Sequence, residues 1–222
     1  MKRTILITAL ASLILANTEI QNHLLSEDGW TVVEQVEGGY TISQNAIPGY
    51  SMDAIQVSVD VRSTPDLLLD VIHDIENYEK FLTSAKSIDF ETVKKQDKII
   101  IGYQHINVPY FSNRHYLYRF DLDVLQLNER MVTGWELIPI ADEYTSFIEL
   151  MNSAYDGPIY LEEGVGRFVI DPIDNSRVRL SYRLYMDIGG WIPGSLVEKS
   201  NKVGVLNLVR DLVIEAEKRS KI

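Results

Sequence analysis

An α+β fold, with a curved antiparallel sheet gripped by one long C-terminal helix, is predicted by three features of this 222-residue chain. First, Arg177 to Asp187 alternates apolar and polar residues almost without fault, as a strand with one greasy face does. Second, Gly189-Gly190-Trp191-Ile192-Pro193 leads into a helix from about residue 195 to the C-terminus, roughly 40 Å long at 1.5 Å per residue. Third, strands and helices are segregated along the chain, which indicates an antiparallel sheet. A sheet held by one such helix leaves a hollow between them, and the expectation is enclosure of an apolar ligand more than bond-breaking chemistry.

The elements follow in order. Lys2 and Arg3 precede an apolar run from Ile5 to Leu15, with Ala16 as a cleavage position. This reads as an export signal over 1–16, and the alternatives are an amphipathic first helix or an uncleaved anchor. One domain is expected over 26–222. Thr31-Val32-Val33 and Tyr40-Thr41-Ile42 form two short strands around Gly38-Gly39. Ile55, Val57, Val59 and Val61 mark a third. A helix then starts at Thr64-Pro65, with Ser63 and Asp66 at capping-box spacing, and its stripe Leu68, Val71, Ile72, Ile75 and Leu82 carries it to residue 82. Ile99, Ile101, Tyr103 and His105 share one parity of a strand, as do Tyr116, Tyr118, Phe120, Leu122 and Val124 of the next. Met131 to Ile138 is a further strand. Residues 139–164 are less regular, with a short helix at Thr145 to Met151. Strands 165–171 and 177–187 make a hairpin around a turn at 172–176.

Within the last helix, Val205, Leu208, Val209, Leu212 and Ala216 form the stripe that presses on the sheet, widened by Leu206 and Val213. Lys199, Asn207, Arg210, Asp211 and Lys218 take the opposite side, and Ser195 with Glu198 supplies the cap. Extended toward the N-terminus, the stripe meets Asn201 and Glu198. These two either hold a ligand head at a pocket mouth or overhang the sheet in solvent. Gly204 interrupts the helix at a cost of about 1 kcal/mol, through close approach to a ligand or strand or through simple tolerance.

Composition excludes several functions. The net charge is −11, against the basic surface that nucleic acid requires, so no nucleic-acid partner is expected. Transient membrane contact is compatible with it only through local basic clusters. The absence of cysteine removes thiol catalysis, disulfides and thiolate metal sites, and suits an oxidising compartment. His23, His73, His105 and His115 have no metal-motif spacing, so neither metal nor cofactor is expected. Phosphate-loop and nucleophile-elbow patterns are missing. Glu162-Glu163 reads as solvated surface. His105 is a lone candidate, either facing the cavity as donor or acid/base or satisfied near a strand end. Arg114 shares the parity of Tyr116 and either pairs with an acid or anchors a loop, while Arg119 points outward. The aromatic row Tyr116, Tyr118, Phe120 suits a pocket wall or an ordinary core.

Gly189-Gly190-Trp191-Ile192-Pro193-Gly194-Ser195-Leu196-Val197 with the helix through Leu206 to Leu212 is similar to the end of START domains, the steroidogenic-acute-regulatory-related lipid-transfer modules. Val108-Pro109-Tyr110-Phe111-Ser112-Asn113-Arg114-His115-Tyr116 resembles their proline–serine–arginine–aspartate stretch, with His115 in place of aspartate. The likeness spans about Trp30 to Lys218. It implies a helix-grip fold of the Bet v 1-like superfamily, with a lipid or other hydrophobic small molecule between the sheet and the last helix and no cofactor. The residues expected to line that cavity are His105, Arg114, Tyr116, Tyr118, Phe120, Tyr182 and Leu184 from the sheet, and Asn201, Val205, Leu208 and Leu212 from the helix. Exchange is expected through movement of 139–164 or the Val108–Asn113 loop. The rivals are a polyketide cyclase or aromatase using the same cavity, and a sensor or scaffold whose cavity is filled. An exported monomer, periplasmic or secreted from a bacterial envelope, completes the expectation.

Overall fold

The computed structural model describes residues 18–84, 88–190, 192 and 194–221. The expected export signal, 1–16, lies outside the described residues, as does the Ser195 side chain on which the expected cap rests. Helix α1 occupies 18–25. Strands β1 (Thr31–Val36), β2 (Tyr40–Ala46) and β3 (Asp53–Val61) follow, then α2 (Pro65–His73) and α3 (Tyr78–Phe81). Next come β4 (Ile88–Lys95), β5 (Ile99–Ile106), β6 (Arg114–Leu127), β7 (Arg130–Ile138), α4 (Thr145–Ala154) and β8 (Ile159–Tyr160). The chain closes with β9 (Gly164–Asp174), β10 (Arg177–Met186) and α5 (Gly194–Arg219).

All ten strands belong to one sheet, ordered β1-β2-β3-β10-β9-β7-β6-β5-β4. Every pairing on that path is antiparallel, and β8 adds a short parallel pairing to the start of β6. The stretch α2–α3 carries the chain from β3 to the far edge at β4. A meander then leads back until β10 pairs with β3. Helix α5 lies across one face, touching α2, α3, β2, β3 and β10.

Three expectations need correction here. The helix starting at Pro65 does not run to Leu82. It ends at His73, turns once as a 3-10 helix at Ile75–Asn77 and resumes as α3. The Thr64 hydroxyl caps it by accepting from Leu67 N, whereas the Ser63 hydroxyl donates to Thr64 O. The β9–β10 turn shrinks to Asn175-Ser176, and Pro172 sits inside β9. Pairing of β9 with β7 stops at Ile170, so a residue lacking an N–H is tolerated beyond it. Residues 18–25, ahead of the expected domain start at 26, are packed on the sheet with Ile20 and Leu24 fully buried.

The sheet is covered on both faces. One carries the main core and α5. On the other, α1 covers Val165, Ala54 and Tyr185, while Tyr144 and Ile148 at α4 cover Ile101, Tyr103 and Leu117. Arg183 fixes α1 from this outer face. It donates to Leu24 O at 2.7 Å, Ser26 O at 3.1 Å and Glu27 Oε1 at 2.7 Å, under the Trp30 ring. The guanidinium therefore satisfies carbonyls left over where α1 ends.

Candidate ligand cavity

Between the sheet and α5 lies a cavity of about 710 Å³, within the range of roughly 300–1,000 Å³ of small-molecule sites. Its floor is set by strand register. Gly102 pairs with Tyr118, Gln104 with Tyr116, Trp135 with Phe120 and Gly166, and Tyr182 with Phe168. Side chains on one face of a sheet repeat every second residue, so these groups share the inner face.

Two glycines keep that face low. A Cβ on Gly102 would fall inside the Tyr118 ring, and one on Gly166 would collide with the Trp135 indole and the Tyr182 hydroxyl. Tyr118 and Trp135 therefore lie over bare backbone. Trp135 donates to Tyr182 Oη at 3.0 Å and stacks on Tyr116 with centroids 6.2 Å apart. Phe168 and Tyr182 stack at 4.3 Å. Tyr116 in turn donates to Gln104 Oε1. Burial pushes the Tyr116, Tyr118 and Tyr182 phenols well up, so they stay protonated and hydrogen-bonded to one another's neighbours.

The roof is α5, contributing Val197, Asn201, Gly204, Val205 and Leu208 among others. A Cβ added at Gly204 would meet nothing within 4 Å, so this glycine faces open space and not a strand. The mouth is bordered by the loop from Asn107 to Phe111 and by Ile188, Ile192 and Leu196. Tyr110 there is fully exposed at φ 70°, in the left-handed region that side chains seldom adopt.

Arg114 ties the two sides of the mouth together. Arg114 as a whole is 2% exposed, and its guanidinium donates to Ile188 O and Gly189 O at 2.9 Å each, and to Ser112 O. It thus anchors loops, one of the two roles expected of it. Burial alone displaces its pKa, downward, with no carboxylate acting on it.

The structure places Arg114, Tyr116, Tyr118, Phe120, Tyr182, Leu184, Asn201, Val205 and Leu208 on the cavity wall. Two residues expected there lie elsewhere. His105 pairs with His115 on the outer face, stacks on Tyr155 at 3.7 Å, and has Nδ1 3.1 Å from Asp89 Oδ2. Its strand is apolar on both faces because α4 covers the outer one, so parity with Ile101 and Tyr103 pointed away from the cavity. Leu212 is fully buried in solid core, beyond the hollow part of α5. Asp211, expected on the solvent side, is also buried, accepting from Ser84 N at 2.8 Å and Ser84 Oγ at 3.1 Å. Glu198 is exposed. Segment 139–164 supplies no wall residue, whereas Val108, Pro109, Tyr110 and Phe111 do. Among the residues the sequence reading missed are Gln104, Trp135 and Phe168 of the wall and the two glycines beneath the rings. The signal that could have found Gly102 and Gly166 is a glycine inside an otherwise strong strand.

Among the described residues no cluster of His, Cys, Asp and Glu could hold a metal ion, and no helix is long and apolar enough to cross a membrane. No family model matches the chain, and no curated protein matches it. Solved structures do. A STAR-related lipid transfer protein from Xanthomonas axonopodis is 17% identical with a TM-score of 0.66, covering 86% of this chain and 99% of that one. Human StAR-related lipid transfer protein 5 is 12% identical with a TM-score of 0.65, covering 97% and 99%. The Zhui aromatase/cyclase from Streptomyces sp. R1128 is 17% identical with a TM-score of 0.50, covering 75% and 94%. The chain has a START-like helix-grip fold.

Proposed function

We propose that this protein binds a lipid or similar hydrophobic molecule in the cavity between the sheet and α5. The observation that carries this reading is the wall: aromatic rings laid flat over Gly102 and Gly166 leave about 710 Å³ of mostly apolar space unfilled by the chain's own side chains. Water held against such a surface is released on binding, at about 0.8 kcal/mol per buried methylene. Among the described residues the wall contains no aspartate, glutamate or histidine. Its tyrosines are held protonated by burial. That supports burial over the proton transfers a cyclase would need. Exchange proceeds through the Val108–Asn113 loop, which borders the mouth and which Arg114 tethers. The composition of the first 16 residues supports export.

Organic extraction of the purified protein, with native mass spectrometry of the same sample, tests the reading. A stoichiometric hydrophobic molecule that delipidation removes and re-addition restores is expected. Failure of added long-chain amphiphiles to bind the delipidated protein overturns it.

A further inference from the structure

Among the described residues the cavity wall carries cations and no acid, in a protein that is strongly acidic. The chain has 32 Asp and Glu against 21 Lys and Arg. None of the acids lines the cavity, while Arg114 and Lys199 do. Arg114 is the buried one of the two. Three of its five N–H groups meet the carbonyls of Ser112, Ile188 and Gly189, and among the described residues no further partner of it is found. Carbonyls offset part of the desolvation of a buried guanidinium, but they bring no negative charge, and burial is the only influence displacing its pKa. Two other polar pairs of the wall are engaged within the protein. Tyr116 donates to Gln104, and Tyr182 accepts from Trp135.

Resting on the lipid-binding reading, we propose that the ligand is a single-chain amphiphile with an anionic head, a carboxylate or phosphate, which docks on Arg114 with its tail over Tyr118 and Phe168. Size agrees. At ~30 Å³ per heavy atom, the volume a water takes in the liquid, about 710 Å³ is room for at least two dozen heavy atoms, enough for one long chain and its head.

The test compares three ligands of one chain length on the delipidated protein at pH 8: hexadecanoate, hexadecyl phosphate and hexadecanol, below their aggregation thresholds. Affinity for at least one anion is expected to exceed that for the alcohol tenfold or more, and the tighter anion identifies the head. R114Q is expected to weaken both anions more than hexadecanol, so that the preference shrinks to about twofold or less, and R114K to retain part of it. Should R114Q fail to fold, the wild-type comparison still decides. Equal affinity for both anions and the alcohol overturns the anionic head and leaves the cavity reading standing. No binding of any of the three overturns both.

Discussion

Gly204 allows the cavity to be tested from its roof without touching its polar groups. It lies eleven residues into α5, and a Cβ there would meet nothing within 4 Å. Glycine inside a helix costs about 0.8–1.0 kcal/mol relative to alanine. Gly204→Ala should therefore raise stability by about 1 kcal/mol, or roughly 2–4 °C in Tm for a chain of this size. The added methyl is small beside the cavity, so ligand affinity should stay within twofold. Gly204→Phe keeps part of the helix-propensity gain and sets a ring at the exposed edge of the cavity, where its inward rotamer would take ligand space. Its affinity should fall at least tenfold, or about 1.4 kcal/mol, with no loss of stability. Urea denaturation and titration with a long-chain amphiphile read the two effects separately. A lower midpoint for Gly204→Ala would refute the open space in front of α5. Undiminished binding by Gly204→Phe would refute its use by the ligand.

Three further outcomes follow from the same geometry. Gly102→Ala and Gly166→Ala should each cost about 1–3 kcal/mol in urea, since Tyr118 or Trp135 must swing off the sheet, and both should reduce ligand capacity. His115 is held down to about 4 by burial and by His105. A depressed histidine is neutral in the fold and protonated on unfolding, so stability should fall as pH drops from 6.5 toward 4, by up to about 3 kcal/mol, and His115→Gln should flatten that slope in denaturation at pH 5 and 7. Arg183→Met should cost about 2–3 kcal/mol and speed hydrogen exchange in α1 more than in β10, because the α1 carbonyls lose their donor.

Elements with one polar and one apolar face were legible from sequence, and those apolar on both faces were not. The alternation of Arg177 to Met186 located β10, and the stripe from Val205 to Ala216 located the helix over the core. In β5, by contrast, Ile100 faces inward and Ile101 outward, and both are buried. Two-sided burial erases the period-two signal, so His105 could not be assigned a face, and the inner positions 102 and 104 look weak because they carry glycine and glutamine. Leu212 failed for a different reason. A helix stripe shows which side is covered but not where the cover is hollow and where it is solid. Asp211 was misplaced because its partner, Ser84, is 127 residues away and no local pattern announces the pair. The wall that matters most, rings over glycines, depends on pairing between strands distant in sequence.

The location of a bound chain tests the central claim most directly. Isotope-filtered nuclear Overhauser spectra of the protein with hexadecanoate should connect the methylenes to the ring protons of Tyr118, Phe168 and Tyr182. Contacts confined to exposed side chains such as Leu150 and Ile214, with none to those three rings, would contradict it.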